Sequence, residues 1–202
     1  LTNTAYLIFM KNTLASLLIL PTLLVTSLYA SAADARILVS NKPLALIAAA
    51  TYPADQIDIL VPDGMSPHDY SLRPSDIGKI RQADKVLWAG DHMEPYLAKF
   101  ANQASSNSKW LDATHLMEDM GLFGSDPHVW LSPELAIEIS QRISAWNPTD
   151  VEQAKKDHQA FVKQLTALVE ESKTILAPLK QSGFFVFHQA YDYWFQAIDV
   201  KQ

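Results

Sequence analysis

The stretch Ile57-Asp58-Ile59-Leu60-Val61, running into Pro62-Asp63-Gly64-Met65-Ser66-Pro67-His68-Asp69-Tyr70 and then Pro74-Ser75-Asp76, decides the fold class. Its first five residues are apolar except for Asp58, three of them β-branched, and read as a strand. The next nine hold two prolines and a glycine, and read as a loop. Pro74-Ser75-Asp76 places proline and an acid in a first helical turn. One unit is therefore strand, loop, helix. The same alternation recurs on both sides, with strands at Ile37-Leu38-Val39 and Val86-Leu87-Trp88 and a weaker one at Trp110-Leu111. Helical lengths fill the gaps, from Pro43 to Ala50, Pro74 to Gln82 and Met93 to Ala101. Alternation at this spacing predicts an α/β fold built on a parallel sheet. Strands covered on both faces explain why the apolar runs are unbroken.

Further on, Ser132-Pro133-Glu134 supplies an N-cap, a proline at the first helical position and an acid in the first turn. Leu135, Ile139, Ile143 and Trp146 then recur with helical spacing. After Asn147-Pro148, Phe161, Leu165, Leu168, Ser172, Ile175 and Leu179 form one stripe of a long helix from Thr149 to Leu179. At 1.5 Å per residue that helix spans about 45 Å, which suits a strut between two lobes better than a cover for one sheet. Phe184-Phe185-Val186-Phe187 reads as the first strand of a second lobe. The expected organisation is residues 1–32 as leader, 33–148 as an N-terminal α/β lobe, 149–180 as a linking helix and 181–202 as the start of a second α/β lobe.

The chain has 202 residues, 49% of them hydrophobic and 19% charged, which excludes a disordered or collagen-like polymer. With 22 acidic against 16 basic residues there is no basic surplus to neutralise phosphates, so no nucleic-acid partner is expected. Cysteine is absent, which removes disulfides, thiolate metal sites, a cysteine nucleophile and lipid attachment at an N-terminal cysteine. Met10-Lys11-Asn12, an apolar run from Leu14 to Leu28, and Ala30-Ser31-Ala32 have the three parts of a secretory signal, with cleavage expected after Ala32 or Ala33. Leu1 to Phe9 read as upstream translation. The apolar run is short for a membrane anchor and contains Pro21. An exported protein, periplasmic in a Gram-negative cell and monomeric, is the expectation.

Six histidines are the remaining chemistry: His68, His92, His115, His128, His158 and His188. No two have the i, i+4 spacing of a single-helix zinc motif, so any metal site must be assembled from distant segments. His68 follows a strand. His128 lies in Asp126-Pro127-His128-Val129-Trp130, leading into the Ser132 helix, and His188 follows the Phe184 segment. Loops at the carboxyl ends of α/β strands are where ligands bind. Taken singly, each of the three reads equally well as a buried or capping histidine; together they form a pattern. His158, in Lys155-Lys156-Asp157-His158, reads as a solvated surface residue, and His92 and His115 as ordinary loop or helix-start residues.

Ser66-Pro67-His68-Asp69-Tyr70-Ser71-Leu72-Arg73-Pro74-Ser75-Asp76, Asp126-Pro127-His128-Val129-Trp130-Leu131-Ser132-Pro133 and Phe185-Val186-Phe187-His188-Gln189-Ala190-Tyr191 resemble the three metal-ligand motifs of the zinc-binding periplasmic subunits of bacterial zinc ABC importers. Lesser matches lie at Gln82-Ala83-Asp84-Lys85-Val86 and Met93-Glu94. The resemblance runs in order from Ile37 to Tyr193. It implies two α/β lobes joined by a rigid helix, with Zn²⁺ held as transported ligand in the cleft by His68, His128 and His188. It also implies delivery to a membrane permease and no catalysis. Manganese-binding relatives tend to carry an acid at the third position, so His188 favours zinc, as the softer imidazole does.

Three departures stand out. The His- and Asp-rich insertion of many zinc members is replaced by Glu118 to Ser125, Pro67 stands where some members place an acid, and the greater part of a second lobe would lie past Gln202. The expectation is therefore a truncated chain that functions poorly. Two other readings stay open: a Mn²⁺ or Fe²⁺ binding protein of the same family, or a His₃-zinc hydrolase with Asp69, Glu94 or Asp126 as general base.

Overall fold

A computed structural model describes residues 36–103, 109–122, 124–147, 150–182 and 184–201. The leader expected over residues 1–32 lies outside them. Ala35–Gln202 packs as one compact unit.

Four parallel strands form a sheet in the order β2-β1-β3-β4: β1 (Ile37–Val39), β2 (Ile57–Ile59), β3 (Lys85–Trp88) and β4 (Trp110–Asp112). Ile37 pairs with Ile57 on one side and Lys85 on the other, and Val86 with Trp110. The expected parallel α/β class is what the chain adopts. Strand β2 is assigned two residues shorter than the apolar run, yet the ladder continues: Leu60 N–H donates to Val39 O and Val61 N–H to Ser40 O, both at 2.9 Å.

The alternation of side chains along the strands explains both covering layers. Ile37, Val39 and Leu87 point into a core shared with α1 (Lys42–Ala48), α4 (Ala113–Asp119) and α5 (Pro133–Ser144). Leu38, Val86 and Trp88 point the other way, onto Ile80 of α2 (Pro74–Gln82) and Leu97 of α3 (Pro95–Gln103). The predicted start of α5 is present: Ser132 Oγ accepts from Leu135 N–H at 3.2 Å, with Pro133 first in the helix. Helix α3 starts at Pro95, two residues later than expected, because Met93 and Glu94 are drawn into the interior.

Three expectations need correction. The long helix is α6 (Val151–Leu176), 26 residues capped by Asp150, whose side chain accepts from Gln153 N–H at 2.8 Å. It ends before Pro178, which cannot continue it, and Leu179 belongs to the separate short helix α7 (Leu179–Ser182). Of the apolar stripe, Phe161 and Leu165 pack on the core while Leu168 and Ile175 are exposed.

Second, Phe184 to Phe187 is not a strand. No described strand lies beside it to satisfy its backbone, and a lone strand has nothing to hold it. Phe184 rests on Phe195 of α8 (Asp192–Ala197), with ring centroids 4.9 Å apart, while Phe185 and Phe187 are fully exposed.

Third, His158 is half-buried rather than fully solvated. Its Nδ1 lies 2.8 Å from Ser140 Oγ, which is buried between α5 and α6. Among the described residues no helix is long and apolar enough to cross a membrane.

Candidate metal centre

His68 reaches the site from the loop after β2. Pro62 opens that loop with a turn in which Met65 N–H donates to Pro62 O at 3.1 Å, and Gly64 holds a φ of +81° that favours glycine. The loop's far end is anchored by buried Tyr70, whose hydroxyl donates to Asp76 Oδ2 at 2.7 Å. The same carboxylate oxygen accepts from Arg73 N–H at 2.8 Å at the start of α2. Between these two anchors, Ser66 Oγ accepts from His68 N–H at 3.2 Å, and the histidine itself stays exposed.

His128 is held more firmly. Asp126 Oδ1 accepts from the His128 backbone N–H at 3.0 Å and lies 2.6 Å from its ring Nδ1. A carboxylate only accepts, so Nδ1 carries the proton and Nε2 presents its lone pair. Both side chains are buried, and Trp130 stands edge-on to the imidazole at 5.4 Å. His188 arrives with α8, which docks through the same aspartate: Asp192 N–H donates to Asp126 Oδ2 at 3.2 Å, and the Tyr193 hydroxyl donates to Asp126 O at 2.8 Å.

The three rings meet at their Nε2 edges. His128 Nε2 is 3.2 Å from His68 Nε2 and 3.0 Å from His188 Nε2, and one nitrogen of each ring lies within 4.8 Å of the others. Two ligands of a tetrahedral zinc at 2.0–2.1 Å are about 3.3–3.4 Å apart, so these separations are close to what one ion would require. Withdrawal from water, then the neighbouring His128 and His188, hold the His68 imidazole below its ordinary value of 6.5 and favour its neutral, ligating form. No other compact group of three metal-ligating side chains occurs among the described residues.

The structure thus brings His68, His128 and His188 to one point, though His188 does not follow a strand. His92 and His115 are exposed and do not join the group. Sequence reasoning placed Asp126 only among possible general bases. The Asp-x-His spacing is the local signal for its role, since an aspartate two residues ahead accepts from the following backbone. Tyr193 has no such signal, because its partner is distant in sequence.

A family profile described as "Zinc-uptake complex component A periplasmic" (ZnuA) matches residues 37–202. The chain belongs to the ZnuA family. Its similarity extends to the high-affinity zinc uptake system protein ZnuA of Yersinia pestis, 32% identical over 200 residues, covering 80% of this chain and 62% of that protein. The corresponding ZnuA of Haemophilus ducreyi is 31% identical, with 84% and 66% covered. The chain therefore spans about two thirds of the length of these relatives. A zinc-bound ZnuA deletion mutant superposes with a TM-score of 0.65 at 26% identity, covering 83% of this chain and 68% of that one. The Zn(II)-bound ZnuA-like domain of Streptococcus pneumoniae AdcA gives 0.66 at 26%, with 84% and 66% covered.

Proposed function

We propose that this ZnuA-family chain is a periplasmic solute-binding protein that captures Zn²⁺ through His68, His128 and His188 and delivers it to the membrane permease of an ABC importer. The convergence of three Nε2 atoms carries the reading. Neutral imidazoles suit zinc better than manganese, which prefers carboxylate oxygens. The family's role is solute binding in zinc uptake, and capture needs no catalytic group. In this reading residues 33–148 form the first lobe, 149–180 the linking helix and 181–202 the beginning of a second lobe. A leader over residues 1–32 exports the chain, which acts as a monomer.

The reading is tested by titrating Zn²⁺ into the chain from Ala33 against a chromogenic chelator. The double variant His68→Ala/His128→Ala is run beside it. One-to-one binding that the double variant loses is the expected result. Equal binding by both proteins would place the metal elsewhere.

A further inference from the structure

Asp126 is not one of the three converging histidines, yet each of its three oxygens is engaged with a segment that bears a ligand. Its Oδ1 takes the His128 backbone N–H and the His128 ring, its Oδ2 takes the Asp192 N–H, and its carbonyl takes the Tyr193 hydroxyl. Asp192 opens α8, four residues after His188. The Asp126 side chain is 1% exposed, so water does not compete for these bonds.

We infer that Asp126 is the positioning residue of the metal centre: one carboxylate both selects the ligating tautomer of His128 and docks the segment that carries His188. The inference rests on the zinc-capture reading and deepens it. Without Asp126, His128 has no fixed tautomer, and a proton on Nε2 would turn a ligand into a donor aimed at the metal position. The same loss frees Asp192 N–H and leaves only the Tyr193 hydroxyl on the Asp126 carbonyl to dock the segment that holds His188 3.0 Å from its neighbour. The two effects are inseparable because the two oxygens belong to one group.

Asp126→Asn isolates this property with almost no change in volume. A carboxamide has a single acceptor oxygen, so one of the two donors, the His128 ring or Asp192 N–H, must face an NH₂ group. In the full chain without metal, nitrogen-15 NMR of wild-type His128 is expected to show protonated Nδ1 and free Nε2, with the Asp192 amide protected from exchange. The variant is expected to show a mixed or reversed tautomer, or an unprotected Asp192 amide, and zinc affinity weaker by roughly 10- to 100-fold. Protonated Nε2 in the wild type, or unchanged zinc affinity in a folded variant, overturns the inference. Should Asp126→Asn fail to fold, the wild-type spectrum decides alone. Should the wild type bind no zinc, the capture reading falls while the tautomer and the Asp192 amide still decide the inference.

Discussion

Glu94 Oε1 accepts the side-chain amide of Asn41 at 2.9 Å, entirely inside the protein. The contact joins the residue that caps α1 to the loop that leaves β3. Asn41 Oδ1 in turn accepts from Leu44 N–H at 3.1 Å, and Glu94 Oε2 accepts from Ala89 N–H at 2.9 Å. These bonds tie together the carboxyl ends of the two central strands, beside the loops that reach the metal centre.

Replacing Glu94 should therefore cost stability rather than remove a ligand. Glu94→Gln leaves one acceptor where two are used, so an NH₂ meets either the Asn41 amide or Ala89 N–H. The expected loss is about 1–3 kcal/mol by chemical denaturation. Burial pushes the Glu94 carboxyl above its ordinary value of 4.5, so the folded state keeps this proton after the unfolded chain has lost it. Over that window the unfolded state binds fewer protons, and stability falls as pH rises. Glu94→Gln should abolish this part of the pH dependence. An identical slope in both proteins would show that Glu94 is not its source.

Much of this was legible in the sequence, for physical reasons. The runs at Ile37 and Val86 are apolar because the sheet is covered on both faces, and Ser132-Pro133 announces a helix through local bonds alone. His68 and His128 follow strand-and-helix punctuation that a single pass detects. The failures share one cause, which is dependence on partners distant in the chain. Phe184 to Phe187 has strand composition, but strand formation requires a neighbour to take its backbone bonds, and composition is blind to that. His158 sits among charges in sequence, yet its helix turns it toward Ser140. Asp126 was visible as a residue but not as the meeting point of two segments more than sixty residues apart.

The Ser140–His158 bond gives a second expectation. The Ser140 hydroxyl donates to Ile137 O at 2.8 Å, so its single proton is used and His158 Nδ1 must donate to the oxygen. His158→Phe keeps a ring against α5 but no donor, and should cost about 1 kcal/mol in thermal or chemical unfolding. Zinc affinity should stay unchanged. A change in affinity with intact stability would contradict the purely structural role of this bond.

Acidity of the medium should weaken metal capture in a definite direction. Protons compete with zinc for imidazole lone pairs, so affinity falls as pH drops. Because His68 is held below the ordinary value of about 6.5, it stays neutral to lower pH than a free imidazole, and its share of the loss begins later. Chelator competition from pH 5 to 7.5 should show His68→Ala reducing affinity across the range. His128→Ala, at the buried centre of the cluster, should do more damage than the roughly 10- to 100-fold typical of losing a supporting group. Equal affinity at all pH values would argue that imidazoles are not the ligands.

Gly124 should be intolerant of even one added carbon. A Cβ there would stand 2.7 Å from the Tyr193 hydroxyl oxygen and 2.8 Å from its ring, and Tyr193 is itself packed into the main core. The ring belongs to α8 and is fixed by its bond to Asp126 O, so relief must come from moving that helix or the exposed Gly124 loop against it. Gly124→Ala should therefore cost about 1–3 kcal/mol, the usual range for overpacking. It should also weaken zinc binding, because His188 is carried on the displaced segment. Tyr193→Phe separates the two effects: it removes the bond without adding bulk. If Gly124→Ala lowers stability while zinc affinity stays at the wild-type value, the docking of α8 on Asp126 does not govern where His188 sits.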